Sequence, residues 1–258
     1  MNLTEYIREK RKTKDLLCMA HLVCGYPDLA TNREVIRIMV EKGVDLIELQ
    51  IPFSEPIADG PTILAANQLS LQRGTRIRDC LSLMEEVSSQ YPIPFLFMTY
   101  YNILFSRGVD TFVKQAQQAG GVGLIIPDVP PEEGEEYLTA CRTYHLSPIL
   151  LMTPTSSLER LRLIAEAGDG FFYCVARKGV TGAKTYLSKE TDEFIQRCRK
   201  VTDLPLAMGL GISSREDFDY LAGKVDIAVI GSAIIRIFEQ GGYQALTSFL
   251  EKLIIGIS

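Results

Sequence analysis

Short apolar stretches and amphipathic stretches alternate along this chain about eight times with hardly a break. No other feature narrows the possible folds as far. The apolar stretches are residues 19–24, 44–49, 93–98, 122–126, 148–152, 171–176, 204–208 and 226–230. Each has the length of a strand and is apolar on both faces, as expected of a parallel sheet covered on both sides. Apolar residues recur at helical spacing in residues 31–42, 76–90, 109–119, 132–144, 157–167, 190–201, 213–222 and 233–254. A further amphipathic helix, residues 2–12, precedes the first strand. Eight strand–helix units in 258 residues predict an α/β protein, a single (β/α)8 TIM barrel with an extra N-terminal helix and one domain over residues 1–258. A doubly wound open sheet is the competing architecture. It typically has fewer units and a Gly-x-Gly-x-x-Gly turn after the first strand, and that turn is absent here.

In such a barrel the chemistry sits at the carboxyl ends of the strands. Two connections there are long, residues 51–75 after the second strand and 177–188 after the sixth. Both read as loops of the kind that cover a site. The second strand is apolar except for Asp45 and Glu48, and it ends at Pro52, which cannot donate to a central ladder. Alternation puts Glu48 and Gln50 on one face and Ile47 and Leu49 on the other. A carboxylate within an apolar strand is costly to bury without a partner or a task. Glu48 is therefore either a partnered structural acid or a general acid/base, with Asp59 on the following loop as a second carboxylate.

Three glycine-bearing turns stand late in the chain: Gly179-Val180-Thr181-Gly182, Gly209-Leu210-Gly211-Ile212-Ser213 and Gly231-Ser232-Ala233. They are either plain tight turns or a phosphate cradle of backbone N–H groups, since barrels often bind phosphate after strands seven and eight. Composition removes other chemistries. With a net charge of -5 and no long basic stripe, nucleic acid is not an expected partner. Six cysteines without a Cys-x-x-Cys pair, and only two histidines, give no zinc-like constellation. No Lys lies in an expected strand, so a Schiff-base aldolase lacks a nucleophile. No secretion signal and no bilayer-length apolar run is visible, which points to a cytoplasmic protein without membrane contact. Two carboxylates and a phosphate cradle suit proton transfer on a phosphorylated carbon skeleton, by an isomerase or by a lyase of retro-aldol type.

Several segments together resemble the α subunit family of tryptophan synthase. They are Gly25-Tyr26-Pro27, Ile47-Glu48-Leu49, the run from Pro52 to Pro61 (Pro-Phe-Ser-Glu-Pro-Ile-Ala-Asp-Gly-Pro), Tyr100-Tyr101-Asn102, Pro127-Asp128-Val129-Pro130, Arg177-Lys178-Gly179-Val180-Thr181-Gly182, and the turns at Gly209 and Gly231. The resemblance covers nearly the whole chain. It implies cleavage of indole-3-glycerol phosphate to indole and glyceraldehyde 3-phosphate in tryptophan biosynthesis. It also implies no cofactor in this chain and a pyridoxal-phosphate β subunit as partner, in an allosteric αββα complex that receives the indole through a tunnel. By position, Glu48 resembles the acid/base and Asp59 the carboxylate that holds the indole N–H. Tyr173 matches an active-site tyrosine, and Gly182, Gly211, Gly231 and Ser232 the phosphate site. Thr181 matches a loop residue that closes against Asp59.

The chain departs from the family pattern in three places. Gln50 stands where Gly is usual, His21 where Phe is usual (with Val23 in place of Thr), and Leu210 where Phe is usual. All fall on the expected indole wall. By alternation Gln50 can hydrogen-bond Glu48, and replacing it by Gly is expected to make room and raise cleavage. His21 is either a hydrogen-bonded core histidine or a pocket residue that tunes Glu48. Two readings of the function follow: a working lyase, or a subunit of reduced turnover acting mainly as an allosteric activator of its β partner. A barrel kept only as an interaction module and a phosphate-binding sugar isomerase are the competitors from other classes.

Overall fold

A computed structural model of the chain describes residues 1–175, 189–209 and 211–254. Among these, nine parallel strands form one sheet: β1 Leu17–Val23, β2 Leu46–Gln50, β3 Phe95–Met98, β4 Gly123–Ile125, β5 Ser147–Ile149, β6 Leu151–Met152, β7 Phe172–Val175, β8 Leu206–Gly209 and β9 Ile227–Ile230. Their order is β5-β4-β3-β2-β1-β9-β8-β7-β6. The two ends of that order, β5 and β6, are halves of one run of chain on either side of Leu150, whose carbonyl accepts from Tyr173 N at 3.0 Å. The sheet therefore comes round on itself, and the eight expected strands appear with the fifth one split.

Helices cover the outside: α2 Leu29–Glu41, α4 Ile77–Gln90, α6 Val109–Gln118, α7 Glu135–Tyr144, α8 Leu158–Ala167, α9 Lys189–Arg199, α10 Arg215–Leu221 and α11 Ser232–Ile254. The last of these is broken at Gly241 and Gly242, where Gly242 has φ +61°. The extra N-terminal helix α1, Leu3–Arg11, lays Leu3 and Ile7 against the interior residues Leu17, Leu46 and Phe171 and closes the amino end of the barrel.

One expectation is corrected. Residues 51–75 are not a continuous loop, because α3 occupies Pro61–Gln72. Gly60 is its N-cap and Pro61 sits at the first helical position, where a missing N–H costs nothing. Its buried face consists of Ala66, Asn67 and Ser70, small and polar residues that leave no apolar period in the sequence. A shorter helix, α5 Tyr101–Arg107, follows β3.

Alternation along the strands divides the core. Cys18, Ala20, Leu22, Ile47, Leu49, Phe95 and Phe97 face the helices. Leu17, Met19, Leu46, Leu96, Ile125, Ile149, Ala207 and Ile227 fill the barrel interior. Towards the carboxyl end the interior positions turn polar, with His21 3%, Glu48 2% and Gln50 0% exposed. Polar groups buried this deeply need partners, and their partners define the site.

Candidate active site

Strand register decides which side chains meet. In the β1–β2 ladder His21 lies opposite Glu48 and Val23 opposite Gln50. The imidazole of His21 spans both polar residues of β2: Nδ1 lies 2.6 Å from Glu48 Oε1, and Nε2 3.0 Å from Gln50 Oε1. Gln50 Nε2 then donates to Asp59 Oδ2 at 2.6 Å. Glu48 and Asp59 are thus joined through His21 and Gln50. The expected contact between Gln50 and Glu48 is replaced by one through the imidazole. The other oxygen of Glu48, Oε2, is the single buried side-chain polar atom without a hydrogen-bond partner among the described residues.

Asp59 is delivered by the connection between β2 and α3, which is held at several points. Phe53 N donates to Asn67 Oδ1 at 3.0 Å, and Asn67 Nδ2 donates to Ile63 O at 2.9 Å. Ala58 N donates to the Tyr100 hydroxyl at 3.1 Å, and the Tyr100 ring stacks on Phe53 with centroids 5.2 Å apart. Asp59 N closes a turn onto Pro56 O at 3.0 Å.

These surroundings perturb the titrating groups. Burial raises the Asp59 carboxyl above its ordinary value, against the opposing pull of His21, the Gln50 amide and the Tyr100 hydroxyl. For His21, burial alone would lower the pKa, but the hydrogen bond to Glu48 and the charges of Glu48 and Asp59 outweigh it, and the net direction is upward. Tyr173 is pushed well up by burial and by the same two carboxylates, so it stays a neutral hydroxyl.

All of this opens into a cavity of about 460 Å³. His21, Glu48, Asp59, Tyr173, Gly211, Gly231 and Ser232 all line it. The structure therefore brings the expected residues together, apart from Thr181, Gly182 and Leu210, which lie outside the described residues. Gly211 has φ +70°, a conformation suited to glycine. A Cβ at Gly231 would stand 3.4 Å from Ile63 Cδ1 and 3.6 Å from His21 Cβ, so bare backbone forms the wall there. Ser232 opens α11, whose first turn faces the cavity. Arg236, one turn further along α11, also lines the cavity and was not foreseen. Its spacing of four from Ser232 was the available signal. Among the described residues no group of three or more His, Cys, Asp or Glu is arranged to hold a metal ion. All six cysteines are free and buried.

The sequence profile of the family described as tryptophan synthase alpha chain matches residues 7–254. The tryptophan synthase alpha chain of Desulfotalea psychrophila is 51% identical over 253 residues, covering 98% of this chain and 100% of that one. The corresponding protein of Syntrophotalea carbinolica is 50% identical, covering 96% and 98%. Among solved structures, a tryptophan synthase chain of Mycobacterium tuberculosis superposes with a TM-score of 0.91 at 34% identity, covering 99% of this chain and 97% of that one. A chain from the a2b2 complex of tryptophan synthase of Pyrococcus furiosus does so with a TM-score of 0.87 at 30% identity, covering 93% and 98%.

Proposed function

The chain belongs to the tryptophan synthase alpha chain family, lyases that cleave indole-3-glycerol phosphate in tryptophan biosynthesis, and we propose that Glu48 and Asp59 carry that cleavage here. Glu48 gives a proton to the ring carbon that bears the glycerol chain and takes the proton of the adjacent side-chain hydroxyl. The carbon–carbon bond between them breaks, its electrons return to the ring, and the hydroxyl carbon becomes the aldehyde of glyceraldehyde 3-phosphate. Asp59 accepts the indole N–H and balances the positive charge the ring carries after protonation. Tyr173 lines the same cavity and packs against the ring. The phosphate is bound by the backbone at Gly211, Gly231 and Ser232, at the positive end of α11, with Arg236 adding charge, and the family resemblance adds Gly182 to that site.

The observation that carries this reading is the buried, unpartnered Oε2 of Glu48 in the same cavity as Asp59. Glu48→Gln and Asp59→Asn are each expected to lower kcat for indole release by ~10²-fold or more. Either variant releasing indole at the parent rate removes that residue from the chemistry.

Residues 1–258 act as one cytoplasmic domain that carries no cofactor of its own. No helix among the described residues is long and apolar enough to cross a membrane. The partner is a pyridoxal-phosphate β subunit, in an αββα complex. The a2b2 assembly of the Pyrococcus furiosus relative supports this, as do Ile57 on the connection after β2 and Phe105 on α5, large apolar residues that are 82% and 69% exposed. Co-purification with the β chain tests it.

A further inference from the structure

The hydrogen bonds that join Glu48 to Asp59 fix where protons sit. Asp59 Oδ2 accepts from Gln50 Nε2 at 2.6 Å, which turns the carbonyl oxygen of Gln50 towards His21. A carbonyl oxygen only accepts, so His21 Nε2 must carry a hydrogen. Nδ1 is left facing Glu48 Oε1 at 2.6 Å, a separation typical of a charge-assisted bond. Two carboxylates at one buried mouth repel each other and resist ionising together. An imidazolium between them offsets both charges and donates along both of its N–H bonds.

Resting on the assignment of Glu48 as acid/base, we propose that His21 is held as an imidazolium between Glu48 and Asp59, with Gln50 as its tether, and that both are positioning residues for the lyase reaction. His21 clamps Oε1 and leaves Oε2 as the working oxygen. In the free protein the imidazolium faces an ionised Glu48; the reacting form has taken a proton from solvent onto Oε2, and when that proton passes to the ring carbon the charge that reappears on Glu48 is met by the Nδ1–H of His21. When Oε2 takes the hydroxyl proton, that charge is discharged. One proton leaves Glu48 and one returns, while the imidazolium keeps both of its own. Gln50 is then a tether for the histidine rather than an obstruction in the indole pocket, which reverses the effect expected of replacing it by Gly.

The upward direction of the His21 pKa agrees with this charge state. The groups that face it are Glu48 from β2 and Asp59 from the connecting loop, and Tyr173 from β7 and Arg236 from α11 line the same cavity.

The chain has only two histidines, His21 and His145, and His145 caps α7 away from the cavity, so the full-length protein suits a ¹⁵N NMR titration of its imidazoles. The expected result is that His21 Nε2 stays protonated throughout, while Nδ1 loses its proton with a midpoint above the ordinary ~6.5. Glu48→Gln should lower that midpoint by ~1 unit or more. A midpoint at or below ~6.5 that ignores Glu48→Gln overturns the proposal.

Kinetics with indole-3-glycerol phosphate supply the second readout. His21→Phe leaves Glu48 buried with neither oxygen bonded, so kcat should fall by ~10-fold or more while KM changes little. Gln50→Gly should lower kcat by ~10-fold. A His21→Phe variant that keeps the parent kcat, or a Gln50→Gly variant that cleaves faster, overturns the positioning role. If the parent protein itself releases no indole, the lyase assignment fails, and the titration still decides the charge state of His21.

Discussion

Asp45, Glu48 and Asp59 are near neighbours in sequence with unlike surroundings. Asp45 is a partnered structural acid: Lys14 Nζ stands 2.6 Å from one oxygen, and Cys18 N donates to the other at 3.0 Å. Glu48, three residues on, has one oxygen on His21 and one without a partner. Asp59 is raised above its ordinary value by burial, so its charge costs the folded state something. A carboxyl whose folded pKa is raised gives a stability contribution that is complete below the unfolded value of ~3.9 and lost as pH rises through the folded value. Asn at this position is neutral at every pH and still offers an oxygen to the Gln50 amide. Asp59→Asn should therefore raise the melting temperature at pH 7–8, by ~2–4 °C for a chain of this size, while it removes activity. The gain should shrink as pH falls towards 4. Thermal unfolding of both proteins across that range checks it, and a gain that grows on acidification contradicts the assigned direction.

At the level of elements, α3 is what makes Asp59 a fixed group. Its Asn67, fully buried, accepts from Phe53 N and donates to Ile63 O, so the loop that carries Asp59 is tied to the helix that follows it. Asn67→Ala leaves the Phe53 N–H without its acceptor and should cost ~1–3 kcal/mol in stability. It should also reduce kcat/KM by ~10-fold or more, because the reacting carboxylate is less well placed. Chemical denaturation beside steady-state kinetics separates the two effects, and an unchanged kcat/KM would show that the loop is positioned by other contacts. The same helix shows what the sequence could and could not disclose. Strands such as β2 and helices such as α4 announce themselves by apolar runs and apolar period. The buried face of α3 is Ala66, Asn67 and Ser70, so the period that reveals other helices is missing. The split of the fifth strand at Leu150 is likewise a matter of which neighbour each half pairs with. Glu48 and Asp59 could be singled out as acids in unusual places. The bridge through His21 and Gln50 could not, because it exists only in the register that sets His21 opposite Glu48. A slip of one residue would send Glu48 and Gln50 to the face of the sheet away from His21.

Across the whole molecule, polar groups are treated differently at the two ends of the barrel. At the amino end α1 plugs the opening with Leu3 and Ile7, and Asp45 and Asp226 there have partners on both carboxylate oxygens. Asp226 binds Arg11 Nε at 3.4 Å through one oxygen, and Arg199 Nη2 at 2.6 Å and Leu206 N at 2.7 Å through the other. It ties α1 and α9 to the entrances of β8 and β9. At the carboxyl end a buried carboxylate oxygen is left without a partner, the arrangement of a surface shaped for a ligand rather than for rigidity. This division predicts opposite consequences for acids at the two ends. Asp226→Ala leaves a strand N–H unpaired and two guanidinium groups unmatched, and should cost ~2–3 kcal/mol. For a chain of this length that is a fall of ~4–12 °C in melting temperature. At 25 °C the folded fraction should still turn over at a rate within ~2-fold of the parent, since the chemistry lies at the far ends of the strands. Glu48→Gln should show the reverse, a loss of activity far larger than its change in stability, since Gln keeps an oxygen for the Nδ1–H of His21. Calorimetry and single-turnover cleavage on both variants test the contrast directly. If Asp226→Ala slows the chemical step as strongly as Glu48→Gln does, the two ends are energetically coupled, and the catalytic geometry depends on the ion pairs at the amino end as well as on the residues around the cavity.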